Sequence, residues 1–270
     1  MTAVIIADDS DAECISAVRQ LIVNADDFGR SPGINEGVFE AHARGIVTSA
    51  TVMVLEKAAA RGIRQAAERG PELSLGLHFV LTGGGRPASA PSDVPNLAPN
   101  GRFRRNLSDL PDALPAGEIA AELEEQISLF ERMARKPPTH IDSHHHAALH
   151  PSVGTVVAAA AKRRSIPVRA SSEDARRNLR AAGVRTPDHF VDGFYADGAT
   201  SETLERIVSE LADGTTELMC HPAVVDDELR RSSGYAEMRA KELELLTHRE
   251  VRQAVQAMGI KLIHFGELGA

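Results

Sequence analysis

Tryptophan is absent from this 270-residue chain, tyrosine occurs twice and phenylalanine eight times. Long polysaccharide grooves are paved with flat rings that stack on sugar faces, so any sugar taken here must be short. Cysteine is scarce as well: Cys14 and Cys220 are too few and too far apart for a disulfide framework, and reduced thiols are expected. No excess of basic charge exists. The formal net charge of −8 argues against a nucleic-acid or anionic-membrane partner and leaves small neutral or cationic ligands. Long apolar runs are missing, the best of them, around Val153–Ala161, covering half of the about 20 residues that span a bilayer. Residues 1–18 lack a basic leader region and carry Asp8, Asp9, Asp11 and Glu13. They do not read as a secretory signal, and a cytoplasmic location is expected. Solenoids and propellers are excluded by the lack of any repeat.

With 43% apolar and 25% charged residues, the chain has the makings of a globular protein with a sizeable core. Its length suits one α/β barrel of about 250 residues or two smaller domains. Apolar or β-branched runs at Gln20–Asn24, Thr48–Val54, Leu73–Phe79, Thr139–Asp142, Ile166–Arg169, His189–Asp192, Thr216–Cys220 and Ile260–His264 predict eight strands. Helical spacing at Gly33–Arg44, Glu56–Arg69, Glu118–Met133, Ser201–Leu211 and Ala236–Met258 lies between them. Alternation of strand and helix implies a parallel sheet. Eight units favour closure into a barrel, with an open doubly wound sheet as the alternative. The connection from Leu81 to Pro115 holds the run Gly83-Gly84-Gly85 and six prolines. It is expected to be a lid-like loop, at 81–117, over the active site.

Barrels of this kind assemble their sites at the carboxyl ends of the strands. Those positions carry Asp26 and Asp27, His78, His144 to His146, Arg169, Asp192, His221 and His264. Alternation along an extended chain puts His140, Asp142, His144 and His146 on one face. Two imidazoles and a carboxylate at that spacing make a partial metal shell, against the plainer reading of a polar loop. The adjacent carboxylates Asp26 and Asp27 repel one another unless a cation or proton intervenes, so one suits a metal ligand and the other a general base. Asp27-Phe28-Gly29 spells a kinase metal triplet, but the Gly-rich loop, strand lysine and His-Arg-Asp segment of a kinase are missing. No G-x-S-x-G elbow occurs, and Gly83-Gly84-Gly85 lacks the Lys-Ser or Lys-Thr of a phosphate loop. Cys220 and His221 are strand neighbours that face opposite sides. That leaves His221 as an acid or base and Cys220 as a small buried hydrophobe.

Taken together, Leu21 to Gly29, Gly45-Ile46-Val47-Thr48-Ser49, Gly76 to Thr82, Lys136 to His146 and Met219-Cys220-His221-Pro222 resemble the YdjC-type carbohydrate deacetylases. The resemblance runs from Gln20 almost to the end of the chain. It implies a single-domain, (β/α) barrel-like fold of the polysaccharide-deacetylase type, related to TIM barrels. It further implies a divalent cation, magnesium, held by Asp27, His78 and His144, with Asp26 as base and His221 as acid. The reaction implied is removal of the N-acetyl group from a short amino sugar such as a chitobiose-like oligosaccharide, with release of acetate. Zinc suits two imidazoles and a carboxylate on physical grounds. His140, Asp142, His146, Arg169, Phe194 and Tyr195 are expected to touch the sugar or to support the ligands from behind. Hopanoid-associated relatives share the motifs, which makes a lipid-linked amino sugar an alternative substrate. One departure stands out: where the family pattern has a histidine after His146, this chain has Ala148. Residues 1–19 form an acidic extension ahead of the usual start. A homodimer is left open. Two rival functions keep the cation: aldol cleavage or isomerisation on the same barrel, and a non-catalytic metal-binding module.

Overall fold

The computed structural model describes residues 18–269, so most of the extension expected at residues 1–19, with Asp8, Asp9 and Cys14, lies outside the described residues. Among the described residues seven strands form one parallel sheet: β1 (Arg19–Phe28), β2 (Ser49–Val52), β3 (Ser74–Phe79), β4 (Ile141–Ser143), β5 (His189–Val191), β6 (Gly214–Cys220) and β7 (Lys261–Leu262). Their order is β4-β3-β2-β1-β6-β5, and β7 pairs with the first residues of β1. The run at Ile166–Arg169, expected to be the eighth strand, contributes a single bridge between Val168 and Ile141. Pro167 has no N–H for a ladder, and the Val168 N–H turns away to the Arg185 carbonyl.

The sheet is curled. In a flat sheet β4 and β1, three strands apart, would be separated by roughly 14 Å. Yet His140 Nε2, just before β4, lies 3.1 Å from Asn24 Oδ1 on β1. Arg169 likewise reaches both Asp26 on β1 and Glu217 on β6. The barrel-like curl follows from how β1 is buried: Leu21, Val23 and Ala25 face the helices and join the main core. Ile22 faces inward and joins Ile263, Phe265 and Leu268 in a separate apolar plug at the foot of the barrel. Above that plug the interior is polar, with His140, Asn24, Asp142 and Glu217 all buried.

Nine α-helices occur among the described residues: α1 (Pro32–Arg44), α2 (Ala59–Arg69), α3 (Ala116–Ala134), α4 (Pro151–Arg164), α5 (Glu173–Ala181), α6 (Ser201–Ser209), α7 (Asp227–Ser232), α8 (Ala236–Thr247) and α9 (Arg249–Ala257). The single helix expected over Ala236–Met258 is broken at His248, whose ψ of 131° is extended. The apolar run Val153–Ala161 is the middle of α4. Residues 81–115 pack along α3: Glu122 accepts the Ala88 and Ser89 N–H groups, Glu118 accepts those of Asn96 and Leu97, and Val94, Leu97 and Phe103 are buried. The segment meets the histidine run at its root, where Thr82 Oγ1 lies 3.0 Å from His145 Nδ1, and again where residues 107–109 pack beside residues 144–149.

Candidate metal centre

Neighbours on a regular strand point to opposite faces, yet Asp26 and Asp27 both line one cavity of about 660 Å³ at the carboxyl ends of the strands. The cause is local. The pairing of β1 with β2 slips between Ala25 and Phe28, and Asp27 has a φ of 65°, a left-handed conformation that aspartate tolerates better than most residues. Two residues on, Gly29 has a φ of 91°, and a Cβ there would come within 2.8 Å of the Ala59 backbone. The turn out of β1 therefore requires glycine.

Asp27 Oδ1 lies 3.4 Å from His78 Nε2 and 3.2 Å from His144 Nδ1, and the two nitrogens are 3.3 Å apart. One carboxylate oxygen and two imidazole nitrogens thus converge from β1, β3 and the turn after β4, a donor set that fits a divalent cation. The protonation pattern fits too. His78 Nδ1 is 2.7 Å from Asp142 Oδ1, which directs that N–H backward and turns Nε2 toward Asp27 and His144. Asp142 is held in turn by the Thr51 hydroxyl at 2.9 Å and by Asn24 Nδ2 at 3.4 Å. Burial opposes charge on His78, but Asp142 and then Asp27 carry its pKa up to about 10. The three donors together attract positive charge strongly. Replacing Asp142 by Asn should weaken metal affinity by about 10–100-fold while leaving the ligands in place. Titration with Zn2+ or Mg2+ against a competing chelator reads this, and unchanged affinity would remove Asp142 from the ligand support.

Asp26 is tied differently. Arg169 grips both its oxygens, at 2.6 and 2.7 Å, and also reaches Asp142 at 2.9 Å and Glu217 at 2.7 Å. Burial alone would raise the Asp26 pKa, but the Arg169 guanidinium holds it well below the usual carboxylate range. Asp26 is therefore an anion at any working pH. Glu217 goes the other way: burial pushes its carboxyl up to about 7 despite Arg169. An unfolded glutamate titrates near 4.5, so the bound proton favours the folded state. That contribution is full below pH 4.5 and is lost as pH rises through 7. Chelator-treated Glu217→Gln should melt close to the parent protein at pH 5 and at least about 3 °C above it at pH 8.5. Thermal melts at the two pH values test this, and a gap that closes with rising pH would reverse the assignment.

His221, at the end of β6, places Nε2 3.9 Å from Asp26 Oδ2. Burial pulls its pKa down to about 3. Tyr195 and Tyr235, the only tyrosines in the chain, stack with ring centroids 4.4 Å apart at the edge of the cavity beside His221. Arg239 from α8 binds Asp27 Oδ2, and Arg30 stands 3.5 Å from the same oxygen.

The structure brings together Asp26, Asp27, His78, His144, His146, Tyr195 and His221 around one cavity, with Asp142 and Arg169 directly behind. His145 and Asp192 line it as well; His140, Phe194 and His264 do not. His140 is wholly buried, stacks on Phe265 with 3.9 Å between centroids and binds Asn24, so it supports the barrel floor and touches no substrate. Phe194, expected against a sugar ring, is wholly buried in the core. The face shared by His140, Asp142 and His144 does not extend to His146: positive φ at His145 and His146 breaks the alternation, and His146 turns to the Ser171 hydroxyl at 3.1 Å. His264 turns toward Glu267, 3.6 Å away, because β7 reaches only the start of β1. Sequence reading missed Thr51, Glu217, Tyr235, Arg239 and Glu242. Glu217, a lone acid inside an apolar strand, carried a usable signal. Arg239 and Glu242 look like any solvated helix surface.

The model of the YdjC-like protein family matches residues 20–257. The chain belongs to the YdjC-like family. A carbohydrate deacetylase of Brevibacillus brevis is 41% identical to this YdjC-like chain, over 93% of it and 100% of the relative. A chitooligosaccharide deacetylase of Proteus mirabilis is 38% identical over 92% and 98%. Among solved structures, an Enterococcus faecalis protein described as a cellobiose-phosphate cleavage protein is 32% identical, with a TM-score of 0.88 over 94% of the YdjC-like chain and 100% of its own. The Xyl-CE4 domain of a xylanase from the hindgut metagenome of Trinervitermes trinervoides, 9% identical with a TM-score of 0.54 over 93% and 89%, shares the barrel-like fold alone.

Proposed function

We propose that this protein is a divalent-metal-dependent carbohydrate N-deacetylase that hydrolyses the acetamide of a short N-acetylated amino sugar. The observation that carries the reading is the convergence of Asp27, His78 and His144 beside a second carboxylate, Asp26, held by Arg169, in one open cavity. A store or sensor of metal needs the first three groups and has no use for Asp26 or His221. When bound by Asp27, His78 and His144, a dication polarises the acetamide carbonyl and acidifies water. The resemblance implies magnesium, and two imidazole donors suit zinc equally. Asp26, oriented by Arg169, takes the proton of the attacking water, and His221 delivers a proton to the nitrogen as the C–N bond breaks. Tyr195, 45% exposed, offers a ring face to the sugar.

Incubation with diacetylchitobiose, with and without chelator, tests the reading by acetate release. Acetate is expected only when the metal is present. Chelator-insensitive release would defeat the metal's role, and no release from any N-acetyl sugar would return the site to aldol cleavage or isomerisation.

A second reading, an amino sugar on an apolar carrier, draws on the groove of about 750 Å³ between α4 and α5. Ala148, Leu149, Val157, Ala158, Val168 and Leu179 line it, and Ala148 is the position where the family pattern has histidine. Ser171, on the groove wall, binds His146 of the catalytic cavity. A long-chain alkyl N-acetylglucosaminide would then show a KM about tenfold below that of its methyl counterpart, and equal KM values would favour the free oligosaccharide. Among the described residues no helix is long and apolar enough to cross a membrane.

A further inference from the structure

The carboxylate of Glu242 takes no part in the chemistry above, and its surroundings assign it one. Glu242 lies on α8, three residues after Arg239, and is wholly buried. Its Oε2 accepts the backbone N–H of His221. Its Oε1 accepts the Tyr235 hydroxyl at 2.6 Å and stands 3.8 Å from His221 Nδ1. The Tyr235 oxygen accepts the Ala196 N–H at 2.7 Å, so the carboxylate is clamped from both ends. Among the described residues His221 Nδ1 has no hydrogen-bond partner. The opposite nitrogen, Nε2, faces Asp26 across 3.9 Å at the cavity wall.

We propose that Glu242, clamped by Tyr235, is the positioning residue for His221, presenting a carboxylate to Nδ1 so that Nε2 is aimed at the departing amine with a proton to give. This rests on the deacetylase reading. The groups facing His221 are Asp26 and Asp27 from β1, Arg169 beyond β4, Tyr195 after β5, and Tyr235, Arg239 and Glu242 at or on α8. Burial, Arg239 and Arg169 oppose an imidazolium, and Asp26 and Asp27 favour it. Glu242 presents its carboxyl group to the Nδ1 edge from 3.8 Å; burial pushes that carboxyl up to about 7, so the counter-charge it offers an imidazolium is complete above that pH. In the step itself the Nε2–H bond breaks, an N–H bond forms on the leaving nitrogen, and the C–N electron pair passes to that nitrogen. The imidazolium becomes a neutral imidazole whose Nδ1–H stays toward Glu242.

The role separates amides from activated esters. An amine leaves only when protonated, whereas 4-nitrophenolate leaves without a proton. In the metal-loaded protein, Glu242→Gln is expected to lower kcat on diacetylchitobiose by about 30-fold or more, with KM within about threefold. On 4-nitrophenyl acetate its kcat should stay within about threefold of the parent. Glutamine keeps an oxygen for the His221 N–H, so the melting temperature should change little. Tyr235→Phe should show the same selectivity at about 3–10-fold. The alkaline limb of the amide pH profile should move to lower pH in Glu242→Gln, because an imidazolium without its counter-charge loses its proton sooner. Equal loss on both donors would make Glu242 merely structural, and no loss on either would make it idle. Both results overturn the proposal while the deacetylase reading stands. A parent protein that cleaves the ester but no N-acetyl sugar would overturn the deacetylase reading and this inference with it.

Discussion

His78→Ala is expected to strip the protein of its divalent ion and to lower acetate release by on the order of 1000-fold or more, since a bound dication supplies several kcal/mol of transition-state stabilisation. The size of the effect comes from the position of His78. It joins two systems: Nε2 faces Asp27 and His144 at 3.4 and 3.3 Å, and Nδ1 is fixed by Asp142 at 2.7 Å. Its removal deletes a donor and leaves the other two farther from a complete set. The fold should survive. Asp142 keeps Thr51, Asn24 and Arg169, and Asp27 keeps Arg239, so neither carboxylate is stranded as an unpaired buried charge. Elemental analysis after gel filtration and acetate release from diacetylchitobiose measure the two effects. A variant that retained one metal per chain and normal turnover would remove the Asp27, His78 and His144 cluster from the chemistry.

Asp26→Asn should separate binding from catalysis. Metal content is expected to stay at the parent level, because Asp26 contributes no atom to the Asp27, His78 and His144 cluster. Turnover should fall by about 100- to 10,000-fold, the range for loss of a positioned acid or base. Asparagine retains an acceptor for Arg169, and the guanidinium still pairs with Glu217 at 2.7 Å and Asp142 at 2.9 Å, so the buried cation stays compensated. KM should move little, since the lost interaction belongs to the transition state. If Asp26→Asn hydrolysed at the parent rate, the proton of the attacking water would have to go elsewhere, and neutral His221 would be the next base to examine.

These two substitutions were open to choice because residues near strand ends can be recognised without coordinates. Asp26, Asp27, His78, His144 and His221 follow apolar strands, and barrels put their chemistry there. Asp142 and Arg169 were legible on the same grounds. His140 and Phe194 were misplaced for a reason that is also general: residue type and spacing say which face a side chain takes, and depth along the barrel axis is set by the neighbouring strands. His140 sits two residues before Asp142 and so lands on the barrel floor against Phe265. Arg239 and Glu242 escaped because nothing local marks them: their burial comes from α8 packing beside α1 and over the end of β6.

The linear order of residues was enough to establish the alternation of strands and helices and the parallel sheet, because both depend on periodicities of a few residues; the choice of Asp27, His78 and His144 as the cation's holders came from the resemblance to the YdjC-type deacetylases. Which charges are buried, and against what, was decided by the curl of the sheet. It brings Arg169 between Asp26 and Glu217 and sets Glu242 behind His221 from a helix near the other end of the chain. Coulomb energies depend on separation and burial, and those quantities exist only once distant segments share a core.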